Sequence, residues 1–278
     1  MDTSACDPTD GGQAAGGAPV VRRGVGAGRA NDPAAASRAT VDHYERHLAP
    51  LYSWMLGGAR AAIERGRADL AELGLSDGSG RYALDLGAGF GVHAIPLARA
   101  GWRVLAIDSS AFLLDELKAS SGGAPVAIAR DDLLRFPRHL SERPELVLCM
   151  GDTLTHLDEH AAVTSLIAEV ARSVAPGSRF VLTFRDDPGV SAGTVRRIPV
   201  RSDGSRRLVC TLEYAEASVC VHDQLHELID GAWRTRASTY RKLRLASTWV
   251  AQQLEQHGFV VDLGAWPHGM VRLDAVLT

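Results

Sequence analysis

The sequence predicts an α/β protein with a mostly parallel sheet covered by helices on both faces. Between residues 81 and 185, short strand-favouring runs alternate with amphipathic stretches of helical period. These runs are almost continuously apolar, which is typical of strands that are buried on both faces. From residue 190 to 245 the pattern changes to polar–apolar alternation, which predicts a separate antiparallel β-meander.

The composition argues against several classes of protein. The 278-residue chain has a net charge of −3, so we expect no general attraction to nucleic acid or to an anionic membrane. No apolar run approaches the roughly 20 residues that are needed to cross a bilayer. The four cysteines are scattered without a CxxC pair, which favours a reduced, cytoplasmic setting over a disulfide framework or a zinc site.

The chain before residue 76 divides into two predicted parts. Residues 1–36 are rich in Gly, Ala, Pro, Asp and Ser and have few apolar side chains, which predicts a disordered tail. Residues 37–75 contain two amphipathic stretches, from Thr40 to Met55 and from Ile63 to Leu73, which predict helices.

Strands and helices then alternate along the chain. The predicted strands are residues 81–86, 102–108, 125–130, 144–151 and 179–185, and the predicted helices are residues 92–100, 110–120 and 159–174. The meander carries Asp-Gly turns at residues 203–204 and 230–231, a combination typical of β-hairpins. The last segment adds a helix at residues 247–257 and two strands at residues 259–266 and 271–278.

Three glycines separate the first strand from the first helix of this alternation. Gly87, Gly89 and Gly91 follow a G-x-G-x-G spacing, whereas a dinucleotide fingerprint has G-x-G-x-x-G and would place its third glycine at Val92. Asp85 lies two residues before the loop, where its carboxylate would repel a phosphate. The loop therefore favours a ligand with positive charge, or it is only a turn that packs a helix on a strand.

A second acid lies at the end of the second strand. Asp108 follows the glycines by roughly 20 residues, the spacing at which a carboxylate accepts hydrogen bonds from a ribose diol. A lone aspartate there could instead cap the next helix. Because it occurs in step with the glycine loop, we interpret Asp108 as a ligand-binding residue.

Five segments in the same order resemble the core of the class I S-adenosylmethionine-dependent methyltransferases. They are "DLGAGFG" (85–91), "VLAIDSS" (104–110), "ARDDLLRFP" (129–137), "LVLCMGDTLTHL" (146–157) and "APGSRFVLTF" (175–184). The resemblance implies a Rossmann-like, seven-stranded, mostly parallel sheet with an antiparallel last strand, and a meander inserted after the fifth strand. It also implies an N-terminal lid at 37–75, a cofactor-binding core at 76–189, a substrate cover at 190–245 and a completing segment at 246–278.

The resemblance implies S-adenosyl-L-methionine as cofactor and a set of residues that bind it. The glycine loop would approach the methionine and ribose parts, Asp85 the ammonium or the loop itself, and Asp108 the ribose hydroxyls. The adenine amino group would meet Asp131 or Asp132, and the distance to Pro137 favours Asp132. The implied cofactor-binding residues are Asp85, Gly87, Ala88, Gly89, Gly91, Asp108, Ser109, Asp132, Leu133 and Met150.

Candidates for acceptor chemistry follow the fourth and fifth strands. Asp152 and His156 lie where this family places acceptor-binding residues, although His156 could equally be a solvated helix-start residue. Arg185 could clamp a carboxylate on the acceptor, or it could pair with Asp186 or Asp187.

Ring-bearing residues of the lid and the meander are predicted to face the acceptor. They are Tyr52, Tyr214, His222 and Tyr240, with core packing as the alternative for Tyr52 and a sheet extension or dimer contact as the alternative for the meander. A homodimer is therefore possible. His222 and His226 share one face of a predicted strand but lie about 13 Å apart, so we expect no metal site.

The predicted function is transfer of a methyl group to a small-molecule acceptor by in-line displacement. The acceptor atom, N, O or C, stays open. "GDTL" stands where DNA amino-methyltransferases carry an N/D-P-P-aromatic motif, so a DNA substrate is not expected. The alternatives are an RNA or protein methyltransferase, a non-methylating S-adenosylmethionine-binding protein, and an enzyme that uses the cofactor for intramolecular alkylation.

Overall fold

The computed structural model describes residues 44–187 and 189–278, without the side chains of Tyr44 and Arg46. The predicted tail, residues 1–36, and the first seven residues of the predicted lid lie outside the described residues. None of the described helices is long and apolar enough to span a membrane.

Eleven strands make up the two sheets of the described chain. They are β1 (Tyr82–Leu86), β2 (Arg103–Asp108), β3 (Val126–Arg130), β4 (Leu146–Cys149), β5 (Arg179–Phe184), β6 (Val195–Ser202), β7 (Arg206–Tyr214), β8 (Ser218–Ile229), β9 (Ala232–Leu243), β10 (Phe259–Trp266) and β11 (Met270–Leu277).

Six α-helices pack on these sheets. They are α1 (Ala49–Met55), α2 (Ala59–Glu72), α3 (Ala94–Arg99), α4 (Ala111–Ser120), α5 (His160–Ser173) and α6 (Ser247–Gln256). A π-helical turn, Tyr44–Leu48, precedes α1, and short 3₁₀ turns cover Leu133–His139, Thr153–His156 and Pro267–Gly269.

The larger sheet has seven strands in the order β10-β11-β5-β4-β1-β2-β3. β1 to β5 are parallel to one another, and β11 is antiparallel to both β5 and β10. All five residues of β1 are buried because helices cover both faces. The predicted parallel core with an antiparallel last strand is confirmed.

The predicted meander is a second sheet with the order β6-β7-β8-β9. Its Asp230–Gly231 turn has positive φ at both residues, 51° and 76°, as a two-residue hairpin turn requires. The strand register determines which side chains share a face of this sheet. Leu212 pairs with Val221, and Val221 pairs with Tyr240, so these three side chains lie on one face. His222 pairs with Thr211 and Thr239 and therefore lies on the opposite face of the sheet.

Helix α1 joins the meander to the rest of the protein. Leu51 packs against Leu208 and Leu225, and the indole N–H of Trp54 donates to the Asp203 carboxylate in the first hairpin turn. The face of the meander that carries Leu208, Leu225 and Tyr240 is thus turned toward the core sheet. We call it the inner face.

Several elements begin or end a few residues away from the predicted positions, and two differences have a clear physical reason. Helix α2 begins at Ala59, four residues before the predicted Ile63, because the Ala/Arg-rich start has high helix propensity without an apolar stripe. The 3₁₀ turn Leu133–His139 was not predicted from the sequence. It contains Pro137, which disfavours a helix, and it begins where Asp132 caps the turn by accepting from Leu134 N–H at 2.9 Å.

Candidate active site

A pocket opens beside the carboxyl ends of β1, β2, β3 and β4, where parallel α/β sheets bind ligands. Its wall includes Gly87 and Gly89 from the loop after β1 and Asp108 and Ser109 from the end of β2. Tyr52 of α1 closes one side. Segments that are far apart in the sequence therefore meet at one cavity.

The three positions in the loop require glycine for different physical reasons. All have positive φ: 71° at Gly87, 54° at Gly89 and 89° at Gly91. A Cβ on Gly87 would lie 2.3 Å from Thr153 Cγ2, and one on Gly91 would lie 2.9 Å from Ile95 and Leu117. A Cβ on Gly89 would meet no atom closer than 3.9 Å, and Gly89 also lines the pocket. Gly89 thus leaves room for a ligand, whereas the other two allow close packing.

Asp108 connects the glycine loop to the pocket. Its Oδ2 accepts from Gly89 N–H at 2.8 Å and its Oδ1 accepts from Ser110 N–H at 2.9 Å. Ser110, not Asp108, caps α4, because its hydroxyl accepts from Leu113 N–H. Burial raises the pKa of Asp108, while the backbone donors Ser110 and Gly89 act in the opposite direction.

Asp85 lies in the buried strand before the loop, and it is absent from the described lining of the pocket. Its side chain is 2% exposed, and Oδ2 has no hydrogen-bond partner among the described residues. Burial raises the pKa of Asp85 to about 6, with the Asp108 charge acting in the same direction and His93 acting against it. A cation placed near this oxygen would be stabilised.

Both adenine-site candidates line the pocket, as does Leu133. Asp131 is paired with His139 at 2.6 Å and with Arg138, and the hydrogen bond from His139 is the main cause that holds its pKa below the usual value. Asp132 is exposed and only caps the following turn. The Asp132 carboxylate is therefore the more available of the two, and its role stays a prediction.

The pocket is acidic. Asp108, Asp131, Asp132 and Asp158 line it, and His156 is the one basic side chain among the described lining residues. Such a wall favours a cation over a diphosphate. Asp158 was missed by sequence reasoning because it lies in an ordinary loop before α5, without a motif.

The loop after β4 is built around Asp152, whose φ is +77°. Asp152 Oδ1 accepts from Arg185 N–H at 3.0 Å, and Oδ2 accepts from the Lys242 ammonium at 2.7 Å. Burial acts to raise the pKa of Asp152, but Lys242 and His156 hold it below the usual value. Lys242, which sequence reasoning missed, lies 90 residues away in the meander.

His156 and Arg185 approach the pocket in different ways. His156 lines it, and its ring stacks on Tyr240 with centroids 5.7 Å apart and planes 19° apart. Arg185 is exposed, and no hydrogen bond or ion pair of its guanidinium is found with the described residues. Burial, Asp152 and Asp108 raise the pKa of Tyr52 to about 12, and the nearby Arg185 charge opposes them.

Several predicted site residues are absent from the pocket lining, and three of them, Tyr214, His222 and Met150, are held in other contacts. Tyr214 donates to Asp187 at 2.8 Å and packs between Arg196 and Arg244. His222 contacts Thr239 and Glu213 on the outer face, so the expectation that it faces the acceptor with Tyr240 is corrected by the register.

Met150 is the third. It is buried in the core with Leu146 and Leu148, because alternate residues of the strand point to the same face. Gly151 lines the pocket instead.

Known proteins resemble this chain at the level of fold and domain. Residues 83–177 match a family described as a methyltransferase domain. The amino pentose methyltransferase CalS10 from Micromonospora echinaspora, solved with S-adenosylmethionine bound, is 16% identical; the match covers 78% of this chain and 92% of that one with a TM-score of 0.66. The sugar N-methyltransferase KedS8 from a Streptoalloteichus species is 16% identical, with 94% and 99% covered and a TM-score of 0.62.

Two further relatives extend the comparison. Streptomyces venezuelae DesVI is 18% identical, with 84% of this chain and 100% of that one covered and a TM-score of 0.69. The glycine/sarcosine N-methyltransferase of Aphanothece halophytica is 31% identical over 85 residues, which are 30% of this chain and 32% of that protein. The chain thus matches about a third of the length of this curated relative.

The fold of this chain is that of the class I S-adenosylmethionine-dependent methyltransferases. Residues 83–177 of this chain match a methyltransferase domain, and the solved neighbours share the fold that the motifs implied, so the resemblance is confirmed at that level. S-adenosylmethionine is the cofactor of this class. The residues present fit it, because the open side of Gly89 and the wall formed by Asp108, Asp131, Asp132 and Asp158 suit a cationic nucleoside.

Proposed function

We propose that this protein transfers a methyl group from S-adenosylmethionine to an amine nitrogen of a small-molecule acceptor that also carries an anionic group. The observation that carries the methyl-donor part is the acid-lined pocket at the strand ends, with one wall left open by Gly89. Nitrogen is supported by the neighbours named as sugar, glycopeptide and glycine/sarcosine N-methyltransferases.

Each part of the cofactor has a matching group in the pocket. Asp108 would accept from the ribose hydroxyls with lone pairs that its two backbone donors leave available. Asp132 would accept from the adenine amino group, and Leu133 would offer its backbone N–H. Asp85 would face the cationic end of the methionine part with its buried oxygen. When bound, the cofactor supplies a methyl group on a positively charged sulfur.

The residues of the protein must hold the acceptor amine in its neutral form and exclude water from the active site. His156 is the base candidate because it lines the pocket and its charge interacts with the nearby Asp152 carboxylate. Tyr52 and the buried Phe90, with ring centroids 5.9 Å apart, close the side of the site next to the glycine loop.

The proposal that the acceptor has an anionic group is based on Arg185. Its backbone is fixed by Asp152 while its guanidinium is exposed near Tyr52, so it is held in place at the pocket edge with its charge available. A guanidinium in this setting suits a carboxylate or a phosphate. Arg185 takes part in binding the acceptor rather than in the bond change.

A small acceptor is supported by the cover over the site. Helix α1 packs against the inner face of the meander, and that face contacts the turn after β4 through Tyr240 and His156, so these elements cover part of the site. The expectation of a cytoplasmic protein, and that of a possible homodimer, stay predictions from the sequence.

The test is a transfer assay with methyl-labelled S-adenosylmethionine and paired amines that differ only in a carboxylate or phosphate. Mass spectrometry should show one labelled methyl on the nitrogen, with at least tenfold higher kcat/KM for the anionic partner of each pair. Arg185→Met should remove that preference, whereas Arg172→Met, an exposed arginine on α5, should keep it. Cofactor binding without transfer to any acceptor would favour a non-methylating binding protein.

A further inference from the structure

The acceptor side of the site depends on one aspartate in a left-handed conformation. Asp152 is not glycine, so its φ of +77° is disfavoured unless its surroundings hold it there. Its N–H donates to Thr183 O at 3.1 Å, and its C=O accepts from Thr155 Oγ1 at 2.8 Å. These bonds orient the turn from which His156 reaches the pocket.

Three consecutive residues of β9, in the meander, contact this turn and the residues just after it. The ring of Tyr240 stacks on His156, the guanidinium of Arg241 donates to Asp158 O at 3.2 Å, and the Lys242 ammonium lies 2.7 Å from Asp152 Oδ2. Of these three contacts, the one between Lys242 and Asp152 is an ion pair. The side chains of Lys242 and Asp152 are 21% and 11% exposed, so water screens the pair little.

The charges around Asp152 come from several elements. Lys242 and His156 lower the pKa of Asp152, and Asp152 in turn raises the pKa of Tyr52 on α1. On the inner face, burial raises the pKa of Asp223 and of Cys210, and the Lys242 charge opposes that rise at both groups. Lys242 is therefore the cation shared between the meander and the loop after β4.

We propose that Lys242 is a positioning residue for the acceptor site: it holds Asp152 in place, and through Asp152 it orients both His156 and Arg185. Arg185 depends on it because Asp152 Oδ1 accepts from Arg185 N–H while Oδ2 is held by Lys242. Without the ammonium, a buried carboxylate in a disfavoured conformation loses its charge partner. This inference rests on the proposed function, since the acceptor is the ligand affected.

The chain offers a matched control because Lys118 is its only other lysine. Lys118 pairs with Asp115 at 2.9 Å on α4, but both side chains are exposed. Lys242→Met should lower kcat/KM for the acceptor at least tenfold while the cofactor Kd stays within threefold. Lys242→Arg should recover most of the loss, and Lys118→Met should change neither constant.

Two readouts separate positioning from simple loss of stability. In Lys242→Met the acceptor kcat/KM should fall on the acidic side at a higher pH than in the wild type, because Asp152 protonates more easily. In an Asp152→Asn background, adding Lys242→Met should cost less than threefold further, since the two residues act through one contact. Independent losses that multiply would overturn the proposal.

Hydrogen exchange by mass spectrometry tests the same proposal without catalysis. Peptides covering residues 151–157 and 183–187 should exchange at least tenfold faster in Lys242→Met and at the wild-type rate in Lys118→Met. Unchanged exchange in both peptides would overturn the role of Lys242. A wild-type protein that transfers no methyl group would overturn the proposed function and leave the exchange result to decide this one.

Discussion

The carboxylate of Asp108 accepts a hydrogen bond from the backbone N–H of Gly89 at 2.8 Å. The two residues are 19 positions apart: Asp108 ends β2, and Gly89 lies in the loop after the neighbouring parallel strand β1. The bond holds the glycine loop against the same acid that faces the pocket. The geometry of the loop and the proposed contact with ribose therefore involve the same carboxylate.

Asp108→Ala should weaken cofactor binding by about 1–3 kcal/mol, the scale for hydrogen bonds to a charged group. Both the direct contact and the anchoring of Gly89 are lost in this variant. Calorimetric titration with S-adenosylhomocysteine measures the change, and Asp115→Ala on the exposed side of α4 serves as the control. Equal affinity in the two variants would remove Asp108 from the binding site.

Gly89→Ala should abolish most cofactor binding, while Gly123→Ala should leave it intact. Both glycines have positive φ and no atom that would clash with a Cβ, so each substitution costs about 1–2 kcal/mol of backbone strain. Only the Cβ of Ala at position 89 would enter the pocket. Thermal unfolding and titration of both variants test this difference; a similar affinity in the two would place the ligand elsewhere.

Stability should depend on pH through Asp85. Its pKa is raised by burial to about 6, from roughly 3.9 in the unfolded chain, so the folded protein binds more protons between these values. The free energy of unfolding should therefore fall as pH rises from about 4 to about 6, by at most about 3 kcal/mol, and stay level above that window. Asp85→Asn should reduce this slope, and the raised pKa of Asp108 should leave a smaller slope of the same sign. Urea unfolding of both proteins measures the difference, and a constant offset across the window would contradict it.

Tyr240→Leu should reduce acceptor turnover, and His222→Ala should not. The register places Tyr240 on the inner face against His156 and places His222 on the outer face with Thr239. Replacing the ring removes a stacking partner, worth about 0.5–1.5 kcal/mol, or about two- to thirteenfold in rate if it acts through His156. Steady-state kinetics at saturating cofactor provide the measurement. A loss confined to His222→Ala would mean that the outer face binds the acceptor.

Much of the core could be predicted because its signals are local. The glycine loop, Asp108 and the alternating strands lie within short stretches whose spacing is set by strand–turn–helix geometry. The two Asp-Gly turns likewise indicated the meander before its pairing was known.

The acceptor side could not be predicted in the same way. Lys242 contacts Asp152 because β9 lies close to the loop after β4 in the folded protein. The spacing of the two residues in the sequence does not predict that contact. The faces of Tyr240 and His222 depend on strand register, which a shift of one residue would reverse. Met150 was expected at the pocket because it ends a strand there, but strand alternation turns its side chain into the core.

Binding calorimetry with S-adenosylmethionine and with NAD on the same protein tests the central claim most directly. The acid-lined pocket predicts one site per chain for S-adenosylmethionine and for its demethylated product, each weakened in Asp108→Ala, and no heat of binding with NAD. Binding of NAD with an affinity equal to that of S-adenosylmethionine, or the absence of S-adenosylmethionine binding, would contradict it.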